Sequence, residues 1–213
     1  VGPIWVLRDE PPRKRGRKTE IFACGTDPRS TVEAAERARI GWHFLCDVVG
    51  PDEDLKARRA AFKALGYRAI ATEWAYAHDS REIPVFDSDP PVRIVTSAGE
   101  FATIPVGAWR PRRWNPSVTQ FAIWTEQDAY GWVHSQLVGD DAWVGDLYVP
   151  EEHRRHGYGR ALMSALLRHD RDRGVRSSVL LASSAGSHLY PQLGYQLVGV
   201  LQMFCPRDRE PSS

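Results

Sequence analysis

One turn carries the first chemical signal in this sequence. Arg154, Gly157 and Gly159 form an R-x-x-G-x-G run. It is preceded by Val144 to Val149, a β-branched and apolar stretch that reads as a strand. It is followed by a segment in which Leu162 and Leu166, and Ala161 and Ala165, recur at i, i+4, as on one face of a helix. The first amides of a helix have no partner within it and sit at the positive end of its dipole, so such a turn is an anion site. Gly157 and Gly159 lack the Cβ atoms that would keep a pyrophosphate from that backbone. Two other phosphate-binding patterns do not fit. A dinucleotide fingerprint needs a third glycine where Arg160 to Leu162 stand, and a P-loop needs Gly-Lys-Ser/Thr, which is absent from the turn.

A second run lies downstream. Ser177 to Ala182 reads as a short strand, and the segment Ser183 to Tyr195 ends Leu189-Tyr190-Pro191-Gln192-Leu193-Gly194-Tyr195, with Gly194 a natural helix C-cap. With both motifs in view, the chain resembles the GCN5-related N-acetyltransferase (GNAT) superfamily. That family's signature is Arg or Gln, two residues, Gly, one residue, Gly or Ala, followed later by a helix ending Leu-Tyr-x-x-Leu-Gly-Phe/Tyr. The resemblance implies an α/β (α+β) fold with a mixed central sheet flanked by helices. It also implies acetyl-coenzyme A as co-substrate and transfer of its acetyl group to a primary amine. On this resemblance the cofactor is held by Leu147, Tyr148 and Val149, whose strand backbone pairs with the pantetheine arm, and by Arg154, Arg155, His156, Gly157, Tyr158, Gly159 and Arg160 around the pyrophosphate. An amide of the strand stabilises the tetrahedral oxyanion. Ser183 stands where the family often has an Asn against the pantetheine arm; a hydroxyl makes one such contact, not the two-sided contact of an amide. Tyr190 takes the place of the acid that protonates the departing thiolate. A Tyr of pKa about 10 facing a thiol of about 8.5 keeps the proton to give.

The amine must lose a proton, because a free alkylamine has a pKa near 10.4. Where many family members have a Glu or His on the strand before the turn, this chain has Gly145 and Trp143, neither of which accepts a proton. Asp146 is the neighbouring candidate, but strand alternation sends it to the opposite face unless a bulge re-aims it. His134 shares a strand face with Tyr130, Trp132 and Gln136. The base is open between Asp146, His134 and Glu126. The absent strand carboxylate also motivates the alternative of a non-catalytic acyl-CoA-binding sensor or interaction module. The loop Ala108 to Pro116 interleaves Arg and Trp in the region that shapes the family's acceptor pocket.

The elements that hold these residues fall into two halves. Residues 90–213 are expected to form the acetyltransferase domain. Its strands lie at Val92 to Thr96, Thr119 to Thr125, Tyr130 to Val138 and Ala142 to Val149, one brief helix sits near Ala98 to Ile104, and a closing strand pair spans Tyr195 to Phe204. Residues 1–89 are expected to hold a smaller α/β half-module and an acidic, Pro-rich linker, Asp79 to Pro91. Ala61 to Tyr67 matches Leu189 to Tyr195 in form, and residues 18–78 read strand, helix, strand, helix, strand. The functional residues are missing from this partial copy. Gly25-Thr26-Asp27-Pro28 replaces the glycine turn and Phe62 stands where Tyr190 stands, so the first half is read as structural. Its apolar surface is expected from Phe44, Leu45, Ala60, Leu65 and Ile70.

Composition sets outer bounds. The chain has 213 residues, enough for one large domain or two small ones, and its formal net charge of +1 draws it to neither nucleic acid nor membrane. No apolar stretch approaches the roughly 18 residues of a membrane span, and no apolar signal segment opens the sequence, whose Val start suggests a trimmed or disordered N-terminus. Cys24, Cys46 and Cys205 are odd in number and widely spaced, which fits reduced cytoplasmic thiols better than disulfides or a metal site. The basic run Pro12 to Lys18 reads as a solvated hairpin tip. The expected partner is a small-molecule or protein amine, with no nucleic acid, membrane or metal, and the expected state is a monomer or homodimer.

Overall fold

Strands and helices alternate along the chain in the order that the apolar patterning predicts. A computed structural model describes residues 3–7, 19–37, 40–105, 114–184 and 186–207. The elements are β1 (Ile4–Leu7), β2 (Glu20–Cys24), α1 (Pro28–Arg37), β3 (Phe44–Val49), α2 (Leu55–Ala64), β4 (Tyr67–His78), β5 (Arg93–Val95), α3 (Ala98–Thr103), β6 (Thr119–Trp124), β7 (Ala129–Val138), β8 (Asp141–Tyr148), α4 (Tyr158–Asp172), β9 (Ser177–Ala182) and β10 (Gln196–Pro206). The basic run Pro12 to Lys18 and residues 108–113 of the Arg/Trp loop lie outside the described residues. The chain divides into two compact units: residues 1–75 with 197–213, and residues 76–196.

In the first unit the strands run in the order β1-β2-β3-β10-β4. β1 pairs antiparallel with β2, β2 parallel with β3, and β3 antiparallel with β10. Parallel neighbours need a crossover, and α1 supplies it. That helix starts where Asp27 Oδ1 accepts the Ser30 amide at 3.0 Å and Pro28 needs no donor partner. In place of the glycine turn, expected to be missing from this half, stands a helix cap in which the chain's own carboxylate takes the Ser30 amide. The core is Val32, Leu45, Phe62, Tyr67 and Phe204, with the Phe62 and Phe204 rings 4.3 Å apart. Ala60 and Ile70, expected to be buried, are exposed; α2 turns Phe62 inward instead. The expected closing strand pair is a single strand, β10, laid along β3 from Val200–Val49 to Phe204–Leu45.

The second unit carries the order β9-β8-β7-β6-β5, antiparallel except for β8 beside β9. α4 packs on β6 and β7. Its Ala161, Leu162, Leu166 and Leu167 are fully buried, as the i, i+4 pattern requires. α3 is capped by Ser97, whose Oγ accepts the Glu100 amide, and it drives Phe101 and Ile104 into a cluster with Val95, Ala122, Trp124, Ala129 and Trp132. Trp114, the described aromatic of the Arg/Trp loop, packs against the same cluster. The helix expected over Ser183 to Leu193 is not formed as one. A set of turns leads into a single 3-10 turn, Tyr190–Leu193, closed by Gly194 at φ +89°. Ser183 Oγ takes the Gly186 amide and Ser187 Oγ donates to the Ser184 carbonyl, so hydroxyls compete with the helical ladder, and Pro191 offers no amide.

Candidate active site

Two irregularities in the second unit's sheet build the site. The ladder between β8 and β9 runs from Asp141–Ser177 to Val144–Leu180, and among the described residues it goes no further. The last residues of β8 thus lie beyond that ladder. On its other side β8 carries a bulge: the register with β7 steps by one between His134–Gly145 and Trp132–Tyr148, leaving Asp146 and Leu147 opposite Val133. Asp146 sits in the left-handed region, at φ +53°. The bulge condition set by strand alternation is met. The Asp146 carboxylate lies 3.5 Å from His134 Nδ1, so two of the three candidate bases are adjacent.

Gly145 explains why that strand position holds no carboxylate. A Cβ there would stand 2.7 Å from His134 Nε2 and 2.8 Å from its Cε1. The space that a side chain of β8 would fill is occupied by an imidazole reaching across from β7.

Beyond the end of β8 lies a cleft of about 590 Å³. Its walls include Leu147, Tyr148, Val149, Arg154, Arg155, Gly157, Tyr158, Gly159, Arg160 and Ser183, so every expected cofactor residue lines it except His156. The His156 ring turns back so that Nδ1 meets the His153 carbonyl at 3.3 Å. The turn itself is strained in a useful sense. Arg155 at φ +70° and Gly157 at φ +89° are left-handed, which curls successive amides into a concave, anion-accepting nest at the start of α4. Gly157 is the N-cap of α4 and offers no side-chain oxygen, leaving the first-turn amides open. Arg154 donates from Nε to the Val149 carbonyl at 3.1 Å, which ties the turn to β8, while Arg160 stacks 4.9 Å over the Phe86 ring. His153 holds Asp128 at 2.8 Å from Nε2, pinning the turn to the β6–β7 connection.

Sequence reasoning missed His153, Gly186, His188, Leu189 and Gln192, which also line the cleft. His188 and Gln192 had a readable signal, since they stand two residues either side of Tyr190. Tyr190 is buried, 6% exposed, against the rings of Tyr76 at 5.7 Å and Tyr195 at 5.6 Å. Its ring meets the cleft wall at Gly186, where a Cβ would lie 3.6 Å away. Burial pushes its phenol up to about 12. Glu126, the third candidate base, is an exposed residue of the β6–β7 turn.

Comparison with known proteins agrees with this geometry. Residues 117–197 match the acetyltransferase (GNAT) domain family. The fold is shared with solved structures at low identity. A GCN5-related N-acetyltransferase from Kribbella flavida aligns with a TM-score of 0.65 and 14% identity, over 100% of this chain and 88% of that one. One from Sphaerobacter thermophilus gives a TM-score of 0.64 and 17% identity over 99% and 78%. A tandem GNAT protein from the clavulanic acid biosynthesis pathway gives 0.53 and 16% over 94% and 82%. A search among curated proteins found no match for the sequence. The chain therefore carries a mixed α+β GNAT fold, and residues 117–197 are similar to the acetyltransferase domain of that family.

Proposed function

We infer that the protein is an acetyl-CoA-dependent N-acetyltransferase acting on a primary amine. The observation that carries this reading is the convergence of the end of β8 beyond its ladder with β9, the left-handed turn Arg154 to Gly157 and the open N-terminus of α4 on one cleft. The pyrophosphate of acetyl-CoA fits the nest at Arg155 to Arg160. The pantetheine arm fits along the backbone of Leu147 and Val149, with Ser183 also lining the cleft. The bound thioester supplies the acyl group. An amide of the strand at the bulge receives the oxyanion of the tetrahedral intermediate in this reading. The amine forms the C–N bond, the C–S bond breaks, and Tyr190 gives its proton to the thiolate. The amine's own proton leaves through His134, with Asp146 holding the imidazole. The first half serves as a structural module with no cofactor of its own.

Calorimetric titration with acetyl-CoA tests this, using the native chain and Gly159→Glu. Gly159 has an ordinary backbone, lies in the first turn of α4 and lines the cleft. A Glu there suits the helix dipole but sets a carboxylate where the pyrophosphate belongs. The native chain should bind one acetyl-CoA. The variant should melt at the same temperature or higher and bind at least about 100-fold more weakly, since like charges brought together cost several kcal/mol. Equal affinity in both proteins would remove the pyrophosphate assignment.

A further inference from the structure

The acidic, Pro-rich segment Asp79 to Pro91 reads from its composition as a linker. In the structure part of it is a strap across the start of α4, wholly within the second unit. Ser164 of α4 is fully buried, and its hydroxyl holds the strap twice. It donates to the Pro84 carbonyl at 2.6 Å and accepts the Phe86 amide at 3.3 Å. A serine inside a helix commonly bonds back to the carbonyl four residues earlier. Here the hydroxyl donates to the strap instead. Beyond Phe86, the Tyr158 hydroxyl donates to the Asp89 carbonyl at 3.3 Å. Phe86 is thus fixed from both sides by side chains of the helix that begins at the glycine turn.

The fixed ring carries a cation. The Arg160 guanidinium lies 4.9 Å from its centroid, inside the roughly 6 Å reach of a cation–π contact. Arg160 stands one helical turn before Ser164, so the cation and the strap's anchor share one face of α4. Its other neighbour is the glycine turn. A Cβ at Gly157 would lie 3.8 Å from Arg160 Nη2, and both residues line the cleft. The guanidinium therefore sits between a ring and the rim of the amide nest. A ring face holds a cation through its quadrupole and does not neutralise it as a carboxylate would. The N–H fork keeps its charge for phosphate oxygens. A free arginine loses rotamer freedom when it binds an anion, and one already held loses less.

We propose that Phe86 is a positioning residue for the cofactor. It holds Arg160 at the nest, so that the guanidinium meets the phosphates of acetyl-CoA already in place. Residues 84–89 thus belong to the cofactor site and are more than a spacer between halves. Phe86 acts through Arg160 and touches no reacting atom. The proposal rests on the acetyltransferase reading above and adds to it the device that places one of its cations.

Calorimetric titration of the full chain with acetyl-CoA tests this in Phe86→Leu, Phe86→Trp, Arg160→Met and the double variant of Phe86→Leu with Arg160→Met. Phe86 is half-buried, so Leu keeps an apolar side chain there and removes the ring face. Phe86→Leu should bind about 5-fold to 10-fold more weakly. Phe86→Trp offers the strongest ring face for a cation and should bind within about twofold of the native chain. Arg160→Met keeps the length, removes the charge and should bind about 10-fold more weakly. In that background Phe86→Leu should cost less than about twofold more, because the two residues act as a unit. A strap that only stabilises α4 would weaken binding by the same factor in both backgrounds, and that result overturns the proposal. So does native affinity in Phe86→Leu or in Arg160→Met, or a Phe86→Trp chain as weak as Phe86→Leu. The native chain separates the parent reading: if it binds no acetyl-CoA, both fall. If it binds and Phe86→Leu matches it, only the positioning role falls.

Discussion

Asp170 shows how one atom sets a measurable property. Its side chain is fully buried on α4; Oδ2 accepts the Ser135 hydroxyl at 2.5 Å, while Oδ1 has no hydrogen-bond partner among the described residues. Burial raises its pKa, with the Ser135 bond, His169 and Arg173 opposing the shift. A carboxyl whose folded pKa exceeds its unfolded value holds its proton longer in the native state. Its contribution is therefore fully present below about pH 3.9 and is lost as pH rises through the folded pKa. Asp170→Asn keeps the shape and has no charge to desolvate. The variant should be more stable at pH 7 by about 1–2 kcal/mol, and the gain should close as pH falls toward 4. Chemical denaturation at several pH values checks this; a gain independent of pH would show that the native carboxyl is not the source.

Tyr190 belongs to the same scale. Its phenol, pushed up to about 12 by burial, keeps its proton through neutral and mildly alkaline pH. Tyr190→Phe preserves the ring contacts with Tyr76 and Tyr195 but removes the proton. Turnover should fall about 100-fold or more while acetyl-CoA affinity holds. Steady-state rates beside calorimetry distinguish this from a packing role, which would move both. The turn was legible because its glycines are local: Gly157, which is left-handed, and Gly159 stand two positions apart at the start of α4. The His134–Asp146 pair was visible only as separate candidates. Its contact depends on a one-residue bulge, and strand alternation alone states when a bulge is needed but not where it falls.

At the scale of elements, the first unit is locked by a buried ion pair. Asp47 on β3 is fully buried, and Arg58 on α2 reaches it with Nε at 2.7 Å and an Nη at 2.6 Å, while the same Nη meets the Thr26 carbonyl at 2.7 Å. One guanidinium thus ties a strand, a helix and the turn that starts α1. The fork geometry matches a carboxylate with two parallel donors. Arg58→Met would strand the Asp47 charge and should cost about 3–5 kcal/mol, whereas pairing it with Asp47→Leu should recover most of that loss. A double-mutant cycle by denaturation measures it, and equal instability of the single and double variants would reject the lock. The elements themselves were readable from periodicity, with β6, β7, β8 and β9 within a residue or two of their expected bounds. The segment 183–193 was not, because its apolar spacing suits a helix while its serines and Pro191 compete with the helical ladder.

At the scale of the whole chain, the decisive feature is where the last strand goes. By sequence, Tyr195 to Phe204 closes the second half. In the structure β10 lies between β3 and β4 in the first unit, paired with β3 through five residues from Val200 to Phe204. Strand patterning reveals that a strand exists but not its partner, since a half-buried apolar run suits many neighbours. Phe204, fully buried, packs on Phe62, and Arg207 donates its amide to the Gly66 carbonyl at 2.9 Å. A fragment of residues 90–213 would keep β10 but lose β3, β4 and the core formed by Val32, Leu45, Phe62 and Tyr67. It would then present an unpaired strand with an apolar face, a template for edge-to-edge association. The fragment should therefore aggregate or melt well below the full chain. A shorter fragment, 76–196, lacks that strand and should be the more soluble of the two. Light scattering and thermal melting of both fragments decide the matter. If 90–213 stays monomeric and melts with the full chain, β10 does not depend on the first unit for its stability.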